Sequence, residues 1–232
     1  MLILLDIDGT MLLARPAGVP SFIQAMCETL EQEIRYEGRR FSGGLDPLIW
    51  RGLCADHGVE RPHVHHDRFR RRYGELLGAA LDAQGGARPL PGVHRLIDAL
   101  AGRRDVTLGL VTGNYPETGR MKIASIGVDP DLFVATAWGI DASSRRLLPR
   151  VALDRLRFRF GRHVRPEDAV VIGDTPKDVD CARYAGCRSL AVTTGLFGVD
   201  ELREAGADRV VEDLEETDAL LDWLLGGRGK DG

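Results

Sequence analysis

Four aspartates stand in two close pairs in this sequence, Asp6 with Asp8 and Asp174 with Asp178. Carboxylates brought together repel one another unless a cation sits among them. An oxygen-only set with no Cys or His nearby suits a hard ion, Mg²⁺ above all. Asp6 and Asp8 are two apart on an extended segment, where side chains at i and i+2 point the same way. Both can therefore face one reaction centre, one as a nucleophile and the other as an acid/base. Gly9 allows a tight turn and close approach of a ligand. A third cluster, Thr112-Gly113-Asn114, offers a hydroxyl and backbone N–H groups leading into a helix, which together can cradle a phosphate.

Each cluster ends a run that reads as a strand. Leu2–Leu5, Val106–Val111 and Ala169–Ile172 are continuous apolar runs, the pattern of parallel strands buried on both faces. Leu190–Val192 and Val210–Val211 are shorter candidates. Helical segments lie between them, near His94–Ala101, Glu117–Ile126, Val151–Phe160, Asp178–Ala185, Glu201–Ala205 and Leu214–Leu225. Strands alternating with helices predict an α/β fold with a Rossmann-like, mainly parallel sheet. In such sheets ligands bind outside the carboxyl ends of the strands, where all three clusters fall.

Residues from about Arg15 to Gly86 break the rhythm. Val19, Phe22, Ile23, Met26 and Leu30 recur at helical spacing, and Asp46–Ala55 and Asp67–Ala83 also read as helices. Turn-rich segments flank the block at Arg15–Gly18 and Gln84–Pro89. It predicts a helical insertion over residues 15–86, poised as a lid over a core of residues 1–14 and 87–232. His63, His65 and His66 read as a solvated helix start, and Trp50 and Phe69 as core of this insertion.

The 232 residues carry 35 acidic and 31 basic side chains, a formal charge of -4, and 44% are hydrophobic. That supports a buried core and gives no basic footprint for nucleic acid. The apolar run at the N-terminus stops after four residues, and no stretch has the length of a membrane span. Four cysteines without CxxC spacing read as reduced thiols. A cytoplasmic protein is expected, with neither nucleic acid nor membrane as a partner.

The segments Asp6-Ile7-Asp8-Gly9-Thr10, Thr112-Gly113-Asn114 and Gly173-Asp174-Thr175-Pro176-Lys177-Asp178 resemble the signature motifs of the haloacid dehalogenase (HAD) superfamily. The insertion resembles that superfamily's C1 cap, and the layout is similar to its phosphoglycolate-phosphatase-like branch. The resemblance implies a Mg²⁺-dependent phosphatase of a small phosphorylated metabolite. Asp6 would be the nucleophile that becomes an aspartyl-phosphate, and Asp8 the acid/base. Asp6, the backbone carbonyl of Asp8, and Asp174 would hold Mg²⁺, with Asp178 supporting its shell. Thr112 and the backbone near Gly113 and Asn114 would hold the phosphoryl oxygens. Lys122 is the first choice for the cation that neutralises the aspartate–phosphate pair, and Arg145 the second. A β-phosphoglucomutase-like phosphomutase, or a non-catalytic binding protein on the same fold, are the alternatives. The segment Phe41-Ser42-Gly43-Gly44-Leu45-Asp46 resembles the cap's substrate loop, with Gly44 and Leu45 where relatives carry a basic residue and Thr.

Overall fold

A computed structural model describes residues 1–226. Its centre is strand β1 (Leu2–Leu5), whose four residues are fully buried. On one side β1 pairs in parallel with β4 (Thr107–Val111), and on the other with β6 (Ala169–Gly173). The sheet continues outward through β5 (Ala135–Ala137) beyond β4, and through β7 (Arg188–Val192) and β8 (Arg209–Val211) beyond β6. All six strands run parallel, in the order β5-β4-β1-β6-β7-β8. Leu5 aligns with Leu110 and with Ile172, so the three polar clusters leave the sheet at nearly the same level.

The alternation of side chains sorts the strand residues onto two cores. Ile3, Leu5, Leu110 and Ile172 join one, together with α4 (Val93–Ala101), α5 (Pro116–Ser125) and α9 (Thr217–Gly226). Leu2, Leu4, Val111 and Val171 join the other, with α6 (Leu148–Phe160) and α7 (Pro176–Ala185). A short α8 (Val199–Glu204) covers the β7–β8 edge through Leu202. Helices on both faces leave no solvated side to the sheet, which is why its strands read as unbroken apolar runs. No helix among the described residues is long and apolar enough to cross a membrane.

The predicted helical block is α1 (Gly18–Leu30), α2 (Asp46–Asp56) and α3 (Pro62–Ala83). Its entry and exit strands, β2 (Leu12–Leu13) and β3 (Arg88–Pro89), pair antiparallel at its base. Phe22 of α1 meets Phe69 of α3 edge-on at 4.9 Å, and Trp50 of α2 stacks on Phe69 at 4.2 Å. Both Trp50 and Phe69 are buried.

Two differences from the expected elements have simple causes. β5 has only three residues, two of them alanine, so nothing marks it as a strand until β4 supplies its ladder partners. His66 is not a solvated helix end: its Nε2 lies 2.7 Å from the Tyr115 hydroxyl, and its ring stacks beside Trp50 and Phe69. Helical spacing alone does not reveal that α3 lies against α5.

Leu4 sits in the central strand, fully buried and touching the space above Gly109. Leu4→Ala should lower stability by ~3 kcal/mol, the middle of the range for such truncations. Urea denaturation should show a lower midpoint at an unchanged slope.

Candidate active site

Asp6 follows β1 directly, and its N–H extends the ladder by donating to the Ile172 carbonyl at 2.9 Å. That bond fixes its side chain at the mouth of the sheet, buried to within 5%. Asp174 follows β6 in the same way and is 2% exposed. Asp178 lies in the first turn of α7, where a capping box holds it. Thr175 donates to Asp178 Oδ2 through its N–H at 3.1 Å and its hydroxyl at 2.6 Å. The carboxylates of Asp6, Asp174 and Asp178 offer oxygens that all lie within 4.8 Å of one another.

Burial in a site of like charge raises the proton affinity of these acids. Burial pushes the Asp6 carboxyl up to about 6, against the pull of Arg145 and with the repulsion of Asp178. Asp174 is pushed up to about 8, by burial first and then by Asp178 and Asp6. Three buried carboxylates around a common centre, with one guanidinium among them, carry a net negative charge. The donor set is all oxygen, which fits a hard divalent cation. The side chain of Asp8 is not part of this trio.

Two glycines let the surrounding backbone close on Asp174. A Cβ on Gly9, whose φ is +83°, would stand 2.3 Å from Asp174 Oδ2, and one on Gly195 would stand 1.8 Å from it. Thr194 donates its hydroxyl to the Gly9 carbonyl at 2.5 Å and ties the two loops together. Thr194 and Gly195 belong to the site although sequence reasoning missed them. Their signal was the Thr193-Thr194-Gly195 turn at the carboxyl end of a strand.

The two expected cations are placed in the reverse order of preference. Arg145, from a short turn before α6, puts Nη2 at 2.8 Å from Asp6 Oδ2 and 2.5 Å from Asp178 Oδ1. Lys122, on α5, does not reach Asp6 but sits 2.7 and 2.9 Å from the two oxygens of Asp8. The physical reason is reach. α5 lies against Ile7 and Asn114 through Gly119, on the Asp8 side of Asp6, whereas the Arg145 turn packs against α7 and bonds Asp178.

The third cluster splits its duties. Asn114 donates to Asp8 Oδ2 at 2.9 Å and to Thr112 Oγ1 at 2.8 Å, and accepts from Lys122 at 2.7 Å. Its side chain is thus consumed in orienting Asp8 and is not free for a phosphate. Gly113 is needed for closeness, since a Cβ there would lie 1.8 Å from the Gly44 carbonyl. The Gly113 carbonyl accepts from Asp46 N–H at 2.8 Å, and Asp46 Oδ2 accepts from Tyr115 N–H at 3.1 Å. Asp46 is therefore a further site residue, at the start of α2. Burial, eased by Lys122, raises its carboxyl to about 7. A cavity of about 460 Å³ opens between these strand ends and the helical insert.

The electrostatics give a direction for stability. The ordinary carboxylate value is 3.8, and the folded-state values of Asp6 and Asp174 lie above it. The stability tied to these groups is full below the ordinary value and is lost as pH rises through about 6 and 8. Without divalent cation, the protein should be less stable to urea at about pH 8.5 than at about pH 5. Arg145→Ala should steepen that fall and cost ~3 kcal/mol at the higher pH, because it strands buried charge.

Three comparisons place this geometry among known proteins. The HAD-hydrolase-like family model matches residues 144–217, the stretch that holds Arg145, Asp174 and Asp178. The chain is 31% identical to a phosphoserine phosphatase of Thermus thermophilus over 93% of its own length and 96% of the relative's. It is 27% identical to a phosphoglycolate phosphatase of Rhodospirillum rubrum, across 96% of this chain and 90% of that one. Its fold matches the crystal structure of CbbY from Rhodobacter sphaeroides in complex with phosphate, with a TM-score of 0.71 and 22% identity over 93% and 95% of the two chains. This chain belongs to the HAD-like hydrolases, and among them to the phosphoric monoester hydrolases.

Proposed function

We propose that this protein is a cytoplasmic, Mg²⁺-dependent phosphatase of a small phosphomonoester, working through an aspartyl-phosphate on Asp6. The observation that carries the reading is the separation of two charge systems, one buried and one half-exposed, at one cavity. Asp6 belongs to the acid trio with Arg145, while Asp8 belongs to Lys122 and Asn114. The four cysteines are free thiols, which fits a reducing compartment.

Bound by Asp6, Asp174 and Asp178, Mg²⁺ would offset the charge that builds up between the nucleophile and the phosphoryl oxygens. The chain's own groups do the rest. Arg145 orients Asp6 and takes up charge on its far oxygen. The free oxygen of Asp6 attacks phosphorus in line with the departing alcohol. As the P–O bond to the alcohol breaks, protonated Asp8 gives its proton to the leaving oxygen. Asp8, now a carboxylate held by Lys122 and Asn114, next takes a proton from water. That water attacks the phosphorus, the P–O bond to Asp6 breaks, and inorganic phosphate leaves. Thr112 and the Gly113 backbone line the cavity beside this centre and are suited to the phosphoryl oxygens.

Residues 15–86 act in this scheme as a cap over the core of residues 1–14 and 87–232. Three contacts support closure over the strand ends. They are Asp46 on the Gly113–Tyr115 backbone, His66 on the Tyr115 hydroxyl, and a two-pronged Arg70–Glu117 ion pair at 2.9 Å. A closed cap limits the substrate to small molecules.

Metal dependence is checked with p-nitrophenyl phosphate. Turnover should vanish in EDTA and return with Mg²⁺, and Mg²⁺ should raise the thermal midpoint more at about pH 8 than at about pH 5. Full activity in chelator would sink the reading.

The two N-terminal acids should fail differently. Asp6→Asn should abolish turnover. Asp8→Asn should lose ~10²–10⁴-fold on an alkyl phosphate and less on p-nitrophenyl phosphate, whose phenolate leaves without a proton. With the latter substrate, intact mass should show phosphate trapped on Asp6. Turnover with no covalent phosphate would overturn the aspartyl-phosphate route.

A further inference from the structure

Away from the reacting centre, the cavity is walled by carbon. Leu13, Val19, Phe22, Phe41, Ile49 and Tyr73 face it from the β2 strand, the helices α1–α3 and the loop before α2. The polar side-chain atoms on this wall are few, the Ser42 hydroxyl, the Asp46 carboxylate and the Tyr73 hydroxyl, while Thr194 is spent on Gly9 and Asn114 on Asp8 and Thr112.

Among the described residues, three cations line the cavity, Arg15, Lys122 and Arg145. Lys122 is held by Asp8 and Asn114, and Arg145 by Asp6 and Asp178. Arg15 lies exposed at the rim and has no hydrogen-bond or ion-pair partner among the described residues. The loop from Phe41 to Asp46 cannot supply another. It holds no basic residue, and a Cβ on Gly44 would press to 2.8 Å from Ile49 Cδ1 and 2.9 Å from the Phe41 carbonyl.

These features constrain the alcohol half of the substrate. A polyol would surrender many hydrogen bonds to water against a wall that offers few polar atoms in return. A second phosphate would meet one rim guanidinium where a dianion calls for several donors. A carbon-rich body gains by burial on the same wall, and a single carboxylate suits one free guanidinium.

We propose that this phosphatase takes monoesters of carbon-rich alcohols that carry one anionic group, with the apolar wall seating the carbon body and Arg15 reading the anion. The proposal rests on the phosphatase reading and narrows its substrate class. It makes Arg15 a specificity residue, remote from the transferred phosphoryl group.

The test uses full-length protein with Mg²⁺ and two esters of similar leaving-group basicity, benzyl phosphate and its 4-carboxylate. Glucose 6-phosphate, glucose 1,6-bisphosphate and phosphoserine serve as polyol, bisphosphate and carbon-poor comparators. The carboxylated ester should have the highest kcat/KM, about fivefold over benzyl phosphate through KM, as suits one exposed ion pair. Benzyl phosphate should exceed both sugar esters by about tenfold or more. Arg15→Gln should erase the gap between the two benzyl esters, and Arg15→Lys should keep part of it. A gap that is absent, or that survives Arg15→Gln, overturns the role of Arg15. Sugar or bisphosphate esters matching benzyl phosphate overturn the apolar-wall assignment, as does phosphoserine surpassing the carboxylated ester. Failure of the phosphatase reading itself would look different, as no turnover of p-nitrophenyl phosphate.

Discussion

Mutual repulsion among buried carboxylates is the constraint around which the rest of this structure is arranged. Asp6, Asp174 and Asp178 come together because parallel strands in register release their chains at one level. Nothing in the sheet itself makes that gathering favourable. It is tolerated because Arg145 is driven into the same pocket, 7% exposed, with its guanidinium shared between Asp6 and Asp178. One cation stands among three acids, and burial first, with the repulsion of neighbouring carboxylates after it, raises the proton affinities of Asp6 and Asp174. Such an all-oxygen set of carboxylates fits a divalent cation.

The second charge system follows from the first. Asp8 is two residues from Asp6, yet its side chain turns to Lys122 and Asn114. The two neighbouring aspartates thus stand in different surroundings. Asp6 is buried beside a fixed guanidinium, as the proposed nucleophile requires. Asp8 keeps 43% of its side chain exposed, as the proposed acid/base requires. Asn114 links the two loops, since it reaches both Asp8 and Thr112.

Close backbone approach is the means by which the helical insert joins the site. Gly113 meets the Gly44 carbonyl with no room for a side chain, and Asp46 then bonds to the backbone on both sides of Asn114. The insert thereby adds the carbon wall to a centre that is otherwise all charge. In the proposed function, chemistry and selectivity come from different parts of the chain: strand ends supply the charged groups, and helices supply the apolar surface.

The sequence by itself determined the sheet's three central strands, the helical insert and the aspartates that gather at the strand ends. Those features are local: an apolar run stopped by polar residues, a helical period, or a close pair of acids is visible without its neighbours. What only the tertiary structure decided is pairing between distant segments. Along the chain Lys122 is the first choice as partner of Asp6 and Arg145 the second, and it is the packing of Arg145's turn against α7 that brings Arg145 beside Asp6. Asp46, Gly195 and the short β5 have the same character, each acquiring its role from a strand or loop far away in sequence. A charge pair is fixed by three-dimensional distance, whose effect falls off within a few ångströms, and the order of residues along the chain carries little of that information.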